Sequence, residues 1–251
     1  MGKNIRPVQT ADRSVRRAPS FSSNFENLIE RHGDKDAAEL LRVMIEEVFP
    51  RRIALVTSFG AESAVLLDLV AQISQSIPII FLDTGKHFPE TLEYRAHLIR
   101  HFGLTDVRDQ CPGADDIESR DPNGELWDVN PDQCCHLRKV LPLEKSLLPF
   151  DAWVTGRKRF QSESRTKLDT IEFDETHIKI NPLASWDMAR VSDYLMEHDL
   201  PKHPLVELGY PSIGCAPCTR AVGEGESPRD GRWSDRTKTE CGMHKVVEGR
   251  G

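Results

Sequence analysis

Apolar positions fall into two kinds of run, and the two alternate along the chain. Leu40, Leu41, Met44, Ile45 and Val48 recur at helical spacing and predict the second of two short helices between residues 25 and 48. Pro50-Arg51-Arg52 breaks that pattern. Residues 53–58 are then a short apolar run with β-branched members, a buried strand. Phe59-Gly60-Ala61 turns the chain. Residues 62–73 read as a helix with Val65, Leu66, Leu69, Val70 and Ile73 on one stripe. A second strand over 78–82 ends at Asp83-Thr84-Gly85, and a helix over 89–102 follows, with Pro89 in its first turn. Residues 105–108 predict a third strand, 109–133 a polar loop rich in Pro and Gly, and 138–147 a helix interrupted near Pro142. Strands over 152–155 and 178–181 and an amphipathic helix over 186–198, carrying Val191, Tyr194 and Leu195, complete the regular part. Alternating strands and helices predict an α/β fold with a mostly parallel sheet flanked by helices.

Beyond Pro201 the periodicity disappears and Pro, Gly and charge become frequent. The expected division is a disordered tail over 1–20, an α/β domain over 21–210, and a C-terminal segment over 211–251 that folds across the domain and ends mobile.

Composition narrows the functional classes. The chain has 251 residues, 38% apolar and 29% charged, enough for one full core. Its net charge of −7 opposes a nucleic-acid partner, which needs a basic footprint, but allows a small anion held by locally gathered cations. No apolar run approaches membrane-spanning length, so no membrane association is expected. The N-terminus lacks an apolar h-region but carries Lys3, Arg6, Arg13, Arg16 and Arg17. A solvated tail is expected there in preference to a transit peptide. With no secretory signal the six cysteines should stay reduced, in a cytoplasmic setting, which favours metal binding or catalysis over disulfides.

Those cysteines carry most of the chemistry. Cys134-Cys135 and Cys215-Ala216-Pro217-Cys218 make four thiolates, a complete shell for a [4Fe–4S] cluster or for tetrahedral zinc. Adjacent cysteines on a helix point about 100° apart, a crowding that suits a compact polynuclear cluster better than a single ion. Cys111 has no such pattern and reads as a small core residue. Cys241, between Lys238 and His244, lies in a stretch too polar to build a core, so a reactive thiol explains it better than burial. Lowering its pKa by about two units, roughly 2.7 kcal/mol, would make the thiolate dominant. Lys238, His244 and nearby arginines would help, whereas Glu240 opposes.

Anion-binding candidates cluster at predicted strand ends. Ser58, Gly60, Glu62 and Ser63 sit between strand and helix, where backbone N–H groups can hold phosphate or sulfate. The loop lacks the Gly and Lys spacing of a Walker A motif. Asp83, Thr84 and Gly85 end the next strand, where ligands bind in open α/β sheets. Gly156 and Arg157 end a third, with Arg165 shortly after. Lys139 follows the cysteine pair, and Arg229 and Arg232 precede Trp233.

Taken in order, several stretches resemble one family. They are Ser58-Phe59-Gly60-Ala61-Glu62-Ser63, Leu82-Asp83-Thr84-Gly85, Cys134-Cys135-His136-Leu137-Arg138-Lys139, Thr155-Gly156-Arg157, Asn181-Pro182-Leu183, Ser212-Ile213-Gly214-Cys215-Ala216-Pro217-Cys218-Thr219, Gly231-Arg232-Trp233 and Lys238-Thr239-Glu240-Cys241-Gly242-Met243-His244. Over residues 50–244 the chain resembles the assimilatory adenylyl-sulfate reductases of the iron–sulfur type. The resemblance implies the Rossmann-like, adenine-nucleotide α-hydrolase-like (PP-loop) fold. It implies reduction of adenosine 5′-phosphosulfate to sulfite and AMP in sulfate assimilation, with thioredoxin or glutaredoxin as electron donor; a homo-oligomer is compatible with it. Cys241 would be the nucleophile that takes the sulfonate, and Cys134, Cys135, Cys215 and Cys218 the ligands of one [4Fe–4S] cluster per chain. Lys139 would couple cluster and substrate, with Arg229, Arg232 and His244 as substrate contacts.

The departures are informative. Phe59, Ala61 and Glu62 replace the first Gly, the Lys and the Asp of the PP-loop pattern, which argues against ATP pyrophosphatase chemistry. His203-Pro204 stands where the family often has Asn-Pro, and Met243 where Leu or Ile is common. The cluster cysteines favour adenylyl sulfate over its 3′-phosphorylated form, with a dual-substrate enzyme as the alternative. A tRNA-thiolating relative is opposed by the altered loop and the net charge. A non-catalytic iron–sulfur sensor would leave Cys241 unexplained.

Overall fold

The computed structural model describes residues 19–234, 236 and 238–244. The expected N-terminal tail lies outside the described residues as far as 18, and so does everything after 244; Pro19 and Ser20 already belong to a helix. The chain divides into two compact units between Asp34 and Lys35. The first contains α1 (Pro19–His32), which starts earlier than expected because proline is tolerated in a first turn.

The second unit opens with α2 (Ala37–Arg42), capped by Asp36, whose side chain accepts from Glu39 N–H at 2.9 Å. Its last turns widen into a π-helix over Val43–Val48. Then come β1 (Ile53–Thr57), α3 (Ser63–Ala71), β2 (Ile79–Leu82), α4 (Pro89–Phe102) and β3 (Val107–Gln110). Gly103 stops α4 in the left-handed region at φ 62°. Next are α5 (Ala114–Arg120), α6 (Leu126–Val129) and α7 (Pro131–Cys135), then a π-turn over His136–Val140 and α8 (Leu141–Leu147). β4 (Ala152–Val154), β5 (Ile171–Phe173), β6 (Ile178–Ile180), α9 (Met188–Glu197) and α10 (Pro204–Glu207) complete the regular elements.

The six strands form one sheet in the order β3-β2-β1-β4-β6-β5, parallel except for β5 against β6. This is the expected mostly parallel arrangement, with β1 at its centre. Ala54, Val56, Ile80 and Leu82 share one face with Trp153, and Leu143, Leu147 and Phe150 pack on them. The alternate residues Ile53, Leu55, Ile79 and Phe81 are equally buried on the opposite face. Burial on both sides explains why these strands read as continuous apolar runs. Each such side chain contributes roughly 1.5–3 kcal/mol.

Three expectations are corrected. The stretch over 109–133 is not a plain loop: it contains α5, α6 and α7, each too short to show periodicity. β5 adds an unexpected edge strand, because its alternation Ile171-Glu172-Phe173 spans only three residues. Cys111, just past β3, is exposed and not a core residue, since the polypeptide there has left the sheet. His203 shows why the departure from Asn is tolerated. It caps α10 as Asn would, its Nδ1 accepting from Leu205 N–H at 3.2 Å, while Nε2 meets Thr91 Oγ1 at 3.0 Å.

Candidate active site

The strand ends supply three loops. After β1, Phe59 sits at φ 49° with its ring buried against Phe81, and Thr57 Oγ1 accepts from its N–H at 3.2 Å. Gly60 lies close against the neighbouring backbone: a Cβ would stand 3.3 Å from Ile213 O, a tight contact. Ser58 is exposed and Ser63 opens α3, its N–H bonded to Gly60 O at 3.0 Å. Glu62 does not face outward alone. The buried Lys158 ammonium meets its carboxylate at 2.7 Å and Gln161 donates at 2.9 Å. Lys158, from just past β4, thus ties the first loop to the third through a part-buried ion pair. After β2, Asp83 and Thr84 bind back to Gly85 and Lys86 N–H groups, and Arg138 donates to Thr84 O at 2.8 Å. After β4, Gly156 passes 3.5 Å from Leu66, measured from the position its Cβ would take. Arg157 is held by Glu172 and by Asn181 at 3.1 Å, so much of its charge is already matched.

The cysteines converge although they come from distant stretches. Cys134 and Cys135 end α7, and the π-turn directly after them re-aims the chain. Cys215 is brought alongside by a bridge to His87 and by Ala216 N–H bonding Lys86 O at 2.8 Å. Cys218 follows in a tight turn. All four line one small cavity with Thr84, Lys139, Arg232 and Trp233. Two buried donors of this lining, Arg232 Nε and Trp233 Nε1, have no hydrogen-bond partner among the described residues. Nor is any trio of His, Cys, Asp or Glu among them arranged to hold a metal ion.

Cys241 corrects the expectation drawn from its polar neighbours. It is buried, 8% exposed, in a cluster with Cys135 and Trp233 against which Cys218 and Met243 pack. Met243 also packs on the sheet core, so one side chain anchors the tail to the domain. A hydrogen bond from the Cys135 thiol holds the Cys241 pKa well below the ordinary value. Burial opposes this; Lys139, the Met243 N–H and Arg232 assist. Burial also opposes the Lys139 ammonium, but Cys215, Cys241 and Cys135 outweigh it and raise its pKa. Arg232 crosses so close to the backbone that a Cβ on Gly214 would stand 2.1 Å from its guanidinium.

The two flanking helpers proposed from sequence act otherwise. Lys238 pairs with Asp132 and lies 5.5 Å over the Trp233 ring. His244 stacks on Trp153, and burial together with Lys179, Arg157, Arg165 and Arg229 drives its pKa well down, so it is neutral. Sequence reasoning also missed an oxyanion cradle. Arg165 grips Glu240 through Nε and Nη2, both at 2.7 Å. Ser162 Oγ donates at 3.0 Å, Ser164 Oγ at 3.3 Å and Arg229 Nη2 at 3.4 Å. The serines in Gln161-Ser162-Glu163-Ser164-Arg165 were the available signal, but nothing in sequence ties them to residue 240.

Known proteins resemble this chain in sequence and in fold. Residues 52–221 match the phosphoadenosine phosphosulfate reductase domain. An adenosine 5′-phosphosulfate reductase of Mesorhizobium japonicum is 48% identical over 85% of this chain and 84% of its own. One from Bacillus mycoides is 40% identical over 90% of this chain and 97% of its own. Among solved structures, a phosphoadenylyl-sulfate reductase from Candida auris in a phosphate complex superposes with a TM-score of 0.66. It is 29% identical and covers 80% of this chain and 97% of its own. A Candida glabrata FMN adenylyltransferase with ATP, 15% identical, shares the fold at a TM-score of 0.51 over 91% of this chain and 86% of its own. The chain belongs to the phosphoadenosine phosphosulfate reductase domain family.

Proposed function

We propose that the protein reduces adenosine 5′-phosphosulfate to sulfite and AMP in sulfate assimilation, in the cytoplasm, with a thioredoxin-type dithiol as donor. The observation that carries this reading is the placement of Cys241: a buried thiol packed on Cys135 and Trp233, with the charges of Lys139 and Arg232 acting on it and the preceding residue, Glu240, held by Arg165. A thiolate approaching a dianionic ester meets strong repulsion, and cations preset in a dry site offset it. Cys241 Sγ attacks the sulfate sulfur, the S–O bond to the phosphate breaks, and AMP leaves with the bonding pair. This produces a Cys241 S-sulfonate. A donor thiolate then attacks Cys241 Sγ and displaces sulfite, and its second thiol resolves the mixed disulfide, restoring the Cys241 thiolate.

Cys134, Cys135, Cys215 and Cys218 fit a [4Fe–4S] cluster. They line one cavity, the pair on α7 precedes a π-turn, and two unpartnered N–H donors border the space. When bound, the cluster would supply fixed charge and rigidity beside the site. With the cluster bound, Cys135 is a thiolate ligand and cannot donate, so Lys139, Arg232 and the Met243 N–H remain to hold the Cys241 thiolate.

The test is incubation of purified, anaerobically prepared protein with adenosine 5′-phosphosulfate and no reductant. Stoichiometric sulfonate on Cys241, read by mass spectrometry, is expected; unmodified Cys241 in brown, cluster-loaded protein would refute the mechanism. Running the 3′-phosphorylated substrate in parallel decides between strict and dual specificity.

A further inference from the structure

Glu240 has no role in the reaction described, yet it occupies the best-furnished anion site in the molecule. We propose that Glu240 is a positioning residue. Its carboxylate stands in the cradle as an internal substitute for the substrate's anionic group, and its displacement by substrate is what moves Cys241. This rests on the functional reading above.

The donor set is the first support. Five donor atoms from Arg165, Ser162, Ser164 and Arg229 converge on one carboxylate. That is more than a structural ion pair needs, and it is the donor chemistry of a phosphate or sulfate site. Charge balance is the second. Arg157, Lys179, Arg165 and Arg229 surround the neutral His244. Against these four cations stand Glu172, Asp174 and Glu240. The Lys158–Glu62 pair beside them is neutral. With Glu240 in place these groups carry one excess positive charge, and Arg232 and a Cys241 thiolate, which also act on Arg229, add one charge of each sign. With it withdrawn the excess is two, which matches a dianion.

Chain geometry is the third support. Cα atoms of neighbouring residues are about 3.8 Å apart, so a backbone shift that carries Glu240 out of the cradle also draws Cys241 away from Cys135 and Trp233. In the proposal that shift, not a rotation of the Glu240 side chain alone, is what frees the thiol. Upstream, Arg236–Asp128 and Lys238–Asp132 tie the same segment to α6 and α7, which restricts the motion to a short swing.

The experiment measures alkylation of Cys241 by iodoacetamide in the intact, cluster-loaded protein. Rates are compared at their high-pH plateaus, so that thiolate fraction does not enter. In the unmodified chain, inorganic sulfate at constant ionic strength should accelerate alkylation about fivefold as it competes for the cradle. Glu240→Gln should react about tenfold faster without sulfate and ignore added sulfate, while Glu240→Asp stays close to the unmodified chain. In turnover, Glu240→Gln should lower KM, having lost an internal competitor, and lower kcat, having lost placement of the thiol. A merely structural glutamate would not split the two. Equal alkylation of Glu240→Gln and the unmodified chain, or sulfate that slows or fails to accelerate the reaction, would overturn the proposal. The sulfate arm needs no variant, so misfolding cannot obscure it. If no S-sulfonate forms from adenosine 5′-phosphosulfate, the functional reading fails separately, because alkylation does not depend on that substrate.

Discussion

Two segments meet at the candidate site, and they are held in place by different means. Residues 131–147 are one helical run, α7 through the π-turn to α8, fixed by backbone hydrogen bonds and by Leu143 and Leu147 in the core. The described residues of 229–244 form no long helix or strand. Side chains hold them: Glu240 on Arg165, Lys238 on Asp132, Arg236 on Asp128, and Met243 in the core. The first arrangement suits a centre whose ligands must not move. The second suits the movable nucleophile of the proposed reaction, because side-chain contacts can be exchanged singly. Cys241 is buried where it stands, so that proposal requires it to move before a second thiol can reach it.

The contrast can be broken at graded strengths. Cys241→Ser should abolish sulfite release, a loss above about 10³-fold, and should leave no sulfonated protein on intact-mass measurement. On the rigid side, Cys135→Ala should remove the brown absorption and lower activity by about 100-fold or more, checked by visible spectra and turnover on anaerobic protein. Arg165→Lys keeps the charge but loses the bidentate fork. Its kcat/KM should fall about 10–100-fold with little change in melting temperature. The rigid domain also has a pH test. Burial lowers the His203 pKa to about 4. A pKa below the unfolded value means stability is full above about pH 6.5 and is lost as pH falls toward 4. The cost is about 2 kcal/mol at pH 5. His203→Asn should keep the α10 cap and remove that dependence in denaturant titrations at pH 5 and 7.5. The smallest effect belongs to the tail's outer ties. Asp132→Asn should shift stability by less than about 0.5 kcal/mol, because that carboxylate is 59% exposed. Its effect on Cys241 alkylation should vanish at high salt.

The parts legible in advance share one property. β1, β2, α4 and α9 each carry a local signal: an apolar run, a Pro89 start, a Gly103 stop, an Asp187 cap. The four cysteines were legible as a set because so few residue types perform that chemistry. Where signals were absent, reading failed. β5 is short and at an edge, and α5 buries no residue. Cys241 looked exposed because its burial depends on Trp233 and on Cys135, a hundred residues away in sequence.

Sequence alone therefore determined the alternation of strands and helices and the mostly parallel sheet, and it singled out the cysteines that the fold brings together, since periodicity and residue chemistry are local properties. Tertiary structure decided the rest. It held the His244 pKa down by burial and by the cations around it, paired Glu62 of the first loop with Lys158, and turned Glu240 from an apparent hindrance into the occupant of an oxyanion cradle. Those outcomes depend on charges meeting across long stretches of chain inside a poorly solvated space, and no local pattern records such encounters.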